Sequence, residues 1–316
     1  MNKLFTIVLV VLSFFTFSCK KESTTTWTIY KRGNGLVCDT VLCITIDTYG
    51  NLWFGTTNGI SKFDGTTWTT YKKANEIPIS YVRSIAIDNQ GIKWIGTESR
   101  LFKFDDSNWT IYDINNGLPT NFGVYDIAID AQNKKWFTMP NVGISRFDDF
   151  IWTTYTKSDG LADDQFGDIL IDDENNKWIA TYNGGVSKFD GVNWTTYNKD
   201  NGLADNCTYS ITKDPEGPLW FGTLHGISKF DGTNWTTYIN PYSYDVNQVF
   251  DIEIDINGNK WIGNGKGAAM FDGKNWKNYN ESNGLTGKWG VIDIAIDNEG
   301  NKWFATGGGV YVLHDQ

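Results

Sequence analysis

The 316 residues are 40% hydrophobic, 16% aromatic and only 20% charged, a globular composition with a net charge of −10. Setting aside the first 18 residues, which hold one Lys and no acid, makes the balance −11. No basic run follows, which excludes a nucleic-acid footprint and argues against electrostatic docking on anionic membranes.

The chain opens with an address. Lys3 precedes the apolar run from Leu4 to Phe17, and Ser18-Cys19 follows. A short apolar run behind one positive charge and before a small residue reads as an export signal over residues 1–18, not a membrane span. Residues 19–26 are polar after Cys19 and read as a tether without a core.

From residue 27 onward a repeat takes over. A Trp-x-x-Tyr step recurs seven times, starting at Trp27, Trp68, Trp109, Trp152, Trp194, Trp235 and Trp276. A second series, Trp53, Trp94, Trp136, Trp178, Trp220, Trp261 and Trp303, runs out of phase at a spacing of about 42 residues. Of 15 Trp residues only Trp289 stands outside both series.

Within one period, Val82 to Ile87 alternates with period two and reads as a strand. A turn follows whose last residue is Gly50, Gly91, Asn133, Asn175, Gly217, Gly258 or Gly300 across the repeats, a set that points to positive φ. The Asp opening each turn (Asp47, Asp88, Asp130, Asp172, Asp214, Asp255, Asp297) is placed to bond the turn's own amides, and sevenfold repetition favours that role over catalysis. Lys93 to Thr97, Leu101 to Phe104 and Trp109 to Tyr112 supply three further strands. Four short antiparallel strands per period, without helical periodicity, describe a propeller blade.

The ends set the blade count. After Trp303 the chain makes a third strand, Val310 to Leu313, and stops without a Trp-x-x-Tyr strand, whereas Trp27 to Tyr30 has no blade before it. Joining them predicts an all-β, seven-bladed β-propeller over residues 27–316, closed by the N-terminal strand. Closure leaves no unpaired edge.

The repeat Ile-x-Ile-Asp-x-x-Gly-Asn-x-Trp-Phe-Gly-Thr-x-x-Gly-Ile-Ser-Lys-Phe-Asp, matched best at Asp47 to Asp64, resembles two-component regulator propeller repeats over residues 27–313. Recurrent Gly-Leu pairs before the first strand, at Gly35, Gly117, Gly160, Gly202 and Gly284, extend the resemblance. It implies an extracytoplasmic sensor-like propeller responding to glycans, although no kinase follows here. Ser18-Cys19 likewise resembles a lipoprotein signal, which implies lipidation of Cys19; Phe17 is bulkier than that pattern prefers. Lys20 then favours the outer membrane, on its periplasmic or surface side.

Function is expected where the repeat breaks. On the rim formed by the loops between second and third strands, Arg100 stands where other blades keep Gly. Glu98, Tyr182, His225 and Lys266 add donors and acceptors on that rim. Between blades, Tyr242 and Tyr244 replace the Gly-Leu turn, and Trp289 precedes blade seven. Exposed aromatics beside hydrogen-bonding groups suit a carbohydrate or other polar ligand.

A further position, Cys43, Ser84, Asp126, Asp168, Ser210, Asp251 and Asp293, lies on the innermost strands. Its four aspartates either tie blades together through backbone amides or hold a hard cation such as Ca²⁺ at the channel mouth. No other cofactor is indicated.

Cys38, Cys43 and Cys207 form neither a disulfide framework nor a metal knuckle. The leading expectation is a monomeric ligand-binding lipoprotein that meets the membrane only through its anchor. The alternatives are a scaffold for an envelope protein partner and a propeller lyase; against the lyase, one rim His supplies no nucleophile–base pair.

Overall fold

The computed structural model describes residues 26–119, 122–241 and 248–314. Cys19 and Tyr244 lie outside these residues, as does Tyr242. Among the described residues, seven four-stranded antiparallel sheets stand around a central channel, with a small extra hairpin at Lys73–Ala74 and Ile77–Pro78. That hairpin replaces the Gly-Leu turn between blades one and two, a departure in addition to the two expected from the sequence.

Blade two shows the common plan. Val82–Ile87 lies innermost, followed outward by Lys93–Thr97, Leu101–Phe104 and Trp109–Tyr112. All five residues of each second strand are buried, because both faces of that strand meet a neighbouring blade. Apolar clusters accordingly fall between adjacent blades; one unites Val41, Phe54 and Leu52 of blade one with Trp303, Ala305 and Val310 of blade seven.

The seam closes as expected. Trp27–Tyr30 pairs antiparallel with Gly309–Leu313, register Trp27 to Leu313 and Tyr30 to Val310, and completes the sheet begun by Val291–Ile296. The Trp27 indole donates to the Asn283 carbonyl at 2.8 Å. Covalent neighbours could not fasten this joint, so the pairing itself closes the ring.

The turn chemistry is uniform. Gly50, Gly91, Asn133, Asn175, Gly217, Gly258 and Gly300 all adopt positive φ, between 61° and 112°. Each preceding Asp accepts turn amides, as Asp47 does from Tyr49 and Asn51 at 2.9 Å. Its other oxygen accepts the indole N–H of the second-strand Trp, at 2.7–3.1 Å in all seven blades. One carboxylate thus shapes the turn and satisfies a buried donor.

The Gly-Leu pairs follow short 3₁₀ turns such as Lys199–Asn201. Gly202 turns the chain with φ 110°, close against Trp235, and Leu203 enters the core.

Candidate functional site

The channel mouth is built by a bulge. In six blades the register between first and second strands slips by one residue or more near its start, for example between Val82 and Ser84 and between Val249 and Asp251. A bulged residue is re-aimed out of the sheet plane. Leu42, Arg83, Gly167, Tyr209, Phe250 and Ile292 occupy these places, and together with Tyr125 of blade three they line the mouth of a central cavity of about 390 Å³. Their variety contrasts with the sevenfold uniformity around them.

Directly below lies the ring of Cys43, Ser84, Asp126, Asp168, Ser210, Asp251 and Asp293. Asp126 accepts the Ile169 amide at 2.9 Å, Asp168 that of Ile211 at 2.7 Å, Asp251 that of Ile294 at 2.8 Å and Asp293 that of Ile44 at 2.5 Å. Each carboxylate therefore fastens its blade to the next. Among the described residues no three His, Cys, Asp or Glu side chains are grouped as a metal ion would need.

These carboxyls lie deep in the ring yet keep part of their surface on the channel. Burial, then the charge of Asp126, pushes Asp168 well above the ordinary carboxylate range. Burial, then the charge of Asp251, does the same to Asp293. Burial raises Asp251 to about 6. Glu253 occupies a lower level where the other blades place Thr45, Ala86, Ala128, Leu170, Thr212 and Ala295. Burial and the nearby Asp251 raise it to about 8. Sequence analysis missed Glu253, although its charge is unique among the seven equivalents.

Beside the mouth, Tyr182 and Trp289 come together. They line a second cavity of about 410 Å³ with Gly167, Tyr209, Phe250 and Ile292. The Tyr182 and Tyr209 rings lie 5.5 Å apart, and Tyr209 meets Phe250 edge-on at 5.9 Å. Tyr209 accepts a hydrogen bond from Gln248 at 3.1 Å, and burial raises its hydroxyl to about 12. Gly167 makes room: a Cβ there would stand 2.4 Å from the Tyr209 carbonyl oxygen.

Trp289 is 58% exposed and has φ 68°. Left-handed backbone is rare and strained for a bulky residue. Its ring lies where a side chain on Gly307 would stand, with Cε3 2.8 Å from that Cβ position.

The other rim residues separate. Arg100 occupies the Gly place without positive φ, its amide donating to Thr97 Oγ1 at 3.1 Å. The third strand of blade two starts one residue later than that of blade one, as does that of blade four, which keeps Gly185. Glu98 pairs with Arg83, whose guanidinium lies 5.3 Å from the Tyr125 ring centre, so Glu98 reaches the mouth only through Arg83. His225 Nδ1 lies 2.8 Å from Asp205. Asn183 makes the corresponding contact with Asp163 at 2.9 Å in blade four, so the His225 contact reproduces a repeat feature. Lys266 is exposed on its own loop. Arg100, His225 and Lys266 line neither cavity. All three described cysteines are free thiols.

The two-component regulator propeller profile matches residues 35–58 and 202–225. Each match runs from a Gly-Leu turn to the rim loop of the same blade. These two stretches are two-component regulator propeller repeats. No curated protein matches the sequence.

Among solved structures, the extracellular domain of the hybrid two-component system BT3049 of B. thetaiotaomicron superimposes with TM-score 0.76 and 23% identity, over 92% of this chain and 42% of that one. The corresponding domain of BT4673 gives 0.74 and 18%, over 88% and 41%. Inactive virginiamycin B lyase from Staphylococcus aureus, solved with quinupristin, gives 0.75 and 18%, over 92% and 100%. The chain thus spans under half of the length of the BT3049 and BT4673 chains. At these identities the likeness is one of fold, and this fold hosts sensors and lyases alike.

Proposed function

We propose that this repeat propeller is an extracytoplasmic binding protein that takes a glycan or other polar ligand at the channel mouth, tethered by a lipid on Cys19. The observation that carries the reading is the meeting of Tyr182 and Trp289 in one cavity with Tyr209 and Phe250, beside a channel lined by carboxyl groups. Aromatic faces take the apolar face of a sugar ring, while nearby polar groups fix its hydroxyls. The extracellular domains of similar fold are consistent with this placement. Against a lyase, His225 is engaged by Asp205 in a contact that the repeat supplies elsewhere.

A glycan-binding screen of residues 20–316 tests the proposal, with Tyr182→Ala/Trp289→Ala as the site variant and Arg100→Ala as a rim control. Binding lost in the first and kept in the second supports the site. Binding unchanged in the double variant removes it. No glycan bound, with one stoichiometric envelope partner in pull-down, replaces the reading with the scaffold.

A further inference from the structure

Five of the seven seams between blades are sealed by the same lysine. Lys93, Lys135, Lys177, Lys260 and Lys302 open their second strands, and each ammonium lies over the Trp of the preceding blade. The distances to the ring centres are 5.2, 5.0, 4.8, 4.6 and 5.3 Å. Carboxylates complete the slot: Lys93 bonds Asp106 at 2.6 Å, Lys135 bonds Asp149 at 2.8 Å, and Lys260 bonds Asp214 at 3.1 Å. An ammonium leaving water there gains both a cation–π contact and an ion pair.

Blade five breaks this rule by an exchange. In blades two, three, four, six and seven the lysine faces an Ile across the first two strands, as in Ile87 to Lys93 and Ile254 to Lys260. In blade five the pair is Lys213 to Leu219. The displaced Lys213 forms a salt bridge with Asp173 instead. Blade one also has Leu52, but opposite Ile46, so no cation is relocated there.

The exchange leaves space. A cavity of about 300 Å³ remains between blades four and five, with Trp178, Leu219 and Phe230 on its apolar side; four carboxylates, those of Asp172, Asp173, Glu174 and Asp231, line it against the two ammonium groups of Lys188 and Lys213. At the seam sealed by Lys93 the remaining space is about 230 Å³ and is lined by the lysine, not by Trp53. Lys188 lies 5.1 Å from the Trp178 ring centre, as Lys62 and Lys103 lie over Trp53 and Trp94, each of which also meets the seam lysine of the following blade. Trp178 therefore has one of the two cations that flank Trp53 and Trp94.

We propose that the seam between blades four and five binds an alkylammonium group, entering where five other seams hold a lysine of the protein itself. The ammonium meets Asp172, Glu174 and Asp231, and its aliphatic stem lies on Leu219 and Phe230. Asp172 accepts the Trp178 indole at 2.7 Å, and Asp214 shows that such an aspartate holds an indole at 3.1 Å and an ammonium at once. Trp178 is only 2% exposed, so the carboxylates rather than the indole face make the main contact. The slot opens beside the Asp-Gly turns, at the opposite end of the strands from the mouth, and is independent of the glycan reading. The ligand is either a lysine side chain of another protein or a free aliphatic diamine.

The test is calorimetric titration of the full chain with cadaverine and with Nα-acetyl-lysine methylamide. The parallel variants are Leu219→Lys, which supplies the seam lysine, and Lys213→Ile/Leu219→Lys, which restores the Ile–Lys pairing carried by five other blades. The wild-type chain is expected to bind at least one amine, with binding at least about tenfold weaker in both variants. Preference for the lysine derivative assigns a protein lysine, and preference for cadaverine assigns a free diamine. The proposal is overturned if neither amine binds, if Leu219→Lys binds as the wild type does, or if Nε-acetylated lysine competes equally.

Discussion

Each innermost strand has two unlike ends. At one end an Asp, a positive-φ residue and a buried Trp recur in all seven blades with nearly the same hydrogen bonds. At the other, the bulge and mouth positions hold Leu42, Arg83, Tyr125, Gly167, Tyr209, Phe250 and Ile292. The first end must satisfy the same buried donors in each blade, so its chemistry is fixed. At the second the side chain leaves the sheet, and packing between blades no longer dictates its identity. Shape is encoded at one end of these strands and recognition is open to variation at the other.

The comparison breaks first if the ring does not depend on its repeated parts. Deleting residues 27–30 removes the fourth strand of blade seven and the Trp27 contacts with Tyr279, Phe304 and Tyr311. Thermal unfolding is expected to fall by roughly 10 °C or more, because the last sheet becomes an open edge. An unchanged midpoint in calorimetry would contradict closure by pairing.

One step smaller is Asp214→Ala at the uniform end. It strips the turn amide of Glu216, the Trp220 indole and the Lys260 ammonium of their partner. A loss of about 3 kcal/mol in urea unfolding is expected, since buried donors lose their acceptor and a buried cation keeps only the Gly258 carbonyl and the Trp220 ring. Tyr209→Ala at the variable end should cost less, because its removal empties one side of an already open cavity.

How far the sequence spoke follows the same division. Blade number, strand order, the positive-φ turns and the closing strand were legible because each is stated seven times or completes a sevenfold count. Trp289 stood out as an indole outside the rhythm, and Tyr182 as one of the polar groups on the rim. The bulge was not legible, because Tyr209 and Phe250 continue an alternating pattern and nothing local marks a register slip. Glu253 and the Lys213–Leu219 exchange were visible as breaks, but their meaning needed the channel and the seam. Arg100 was a true break in the sequence, but its side chain lines neither cavity.

The channel offers a pH test of moderate size. Glu253, with its pKa raised to about 8 by burial, stays protonated in the folded ring while the unfolded chain ionises near the ordinary Glu value of 4.5. The unfolded state then binds fewer protons, so stability falls as pH rises from about 4.5 towards 8. Asp251, raised to about 6, acts in the same direction over a lower range. Glu253→Gln removes the first contribution, and urea unfolding should find the variant stabilised by roughly 1–2 kcal/mol at pH 8 and little changed at pH 4. Equal effects at both pH values would place this carboxyl in ordinary solvent.

The smallest expected change in stability is the sharpest test of the mouth. Trp289 holds a left-handed backbone that glycine adopts freely, and its ring is largely exposed. If packing selected the indole, Trp289→Gly should destabilise the ring in proportion to the area lost. If recognition selected it, the strain outweighs the packing, and glycine should stabilise the fold by about 1 kcal/mol while ligand binding is lost. The two outcomes differ in sign, so urea unfolding of this one variant separates a scaffold residue from a binding residue before any ligand is known.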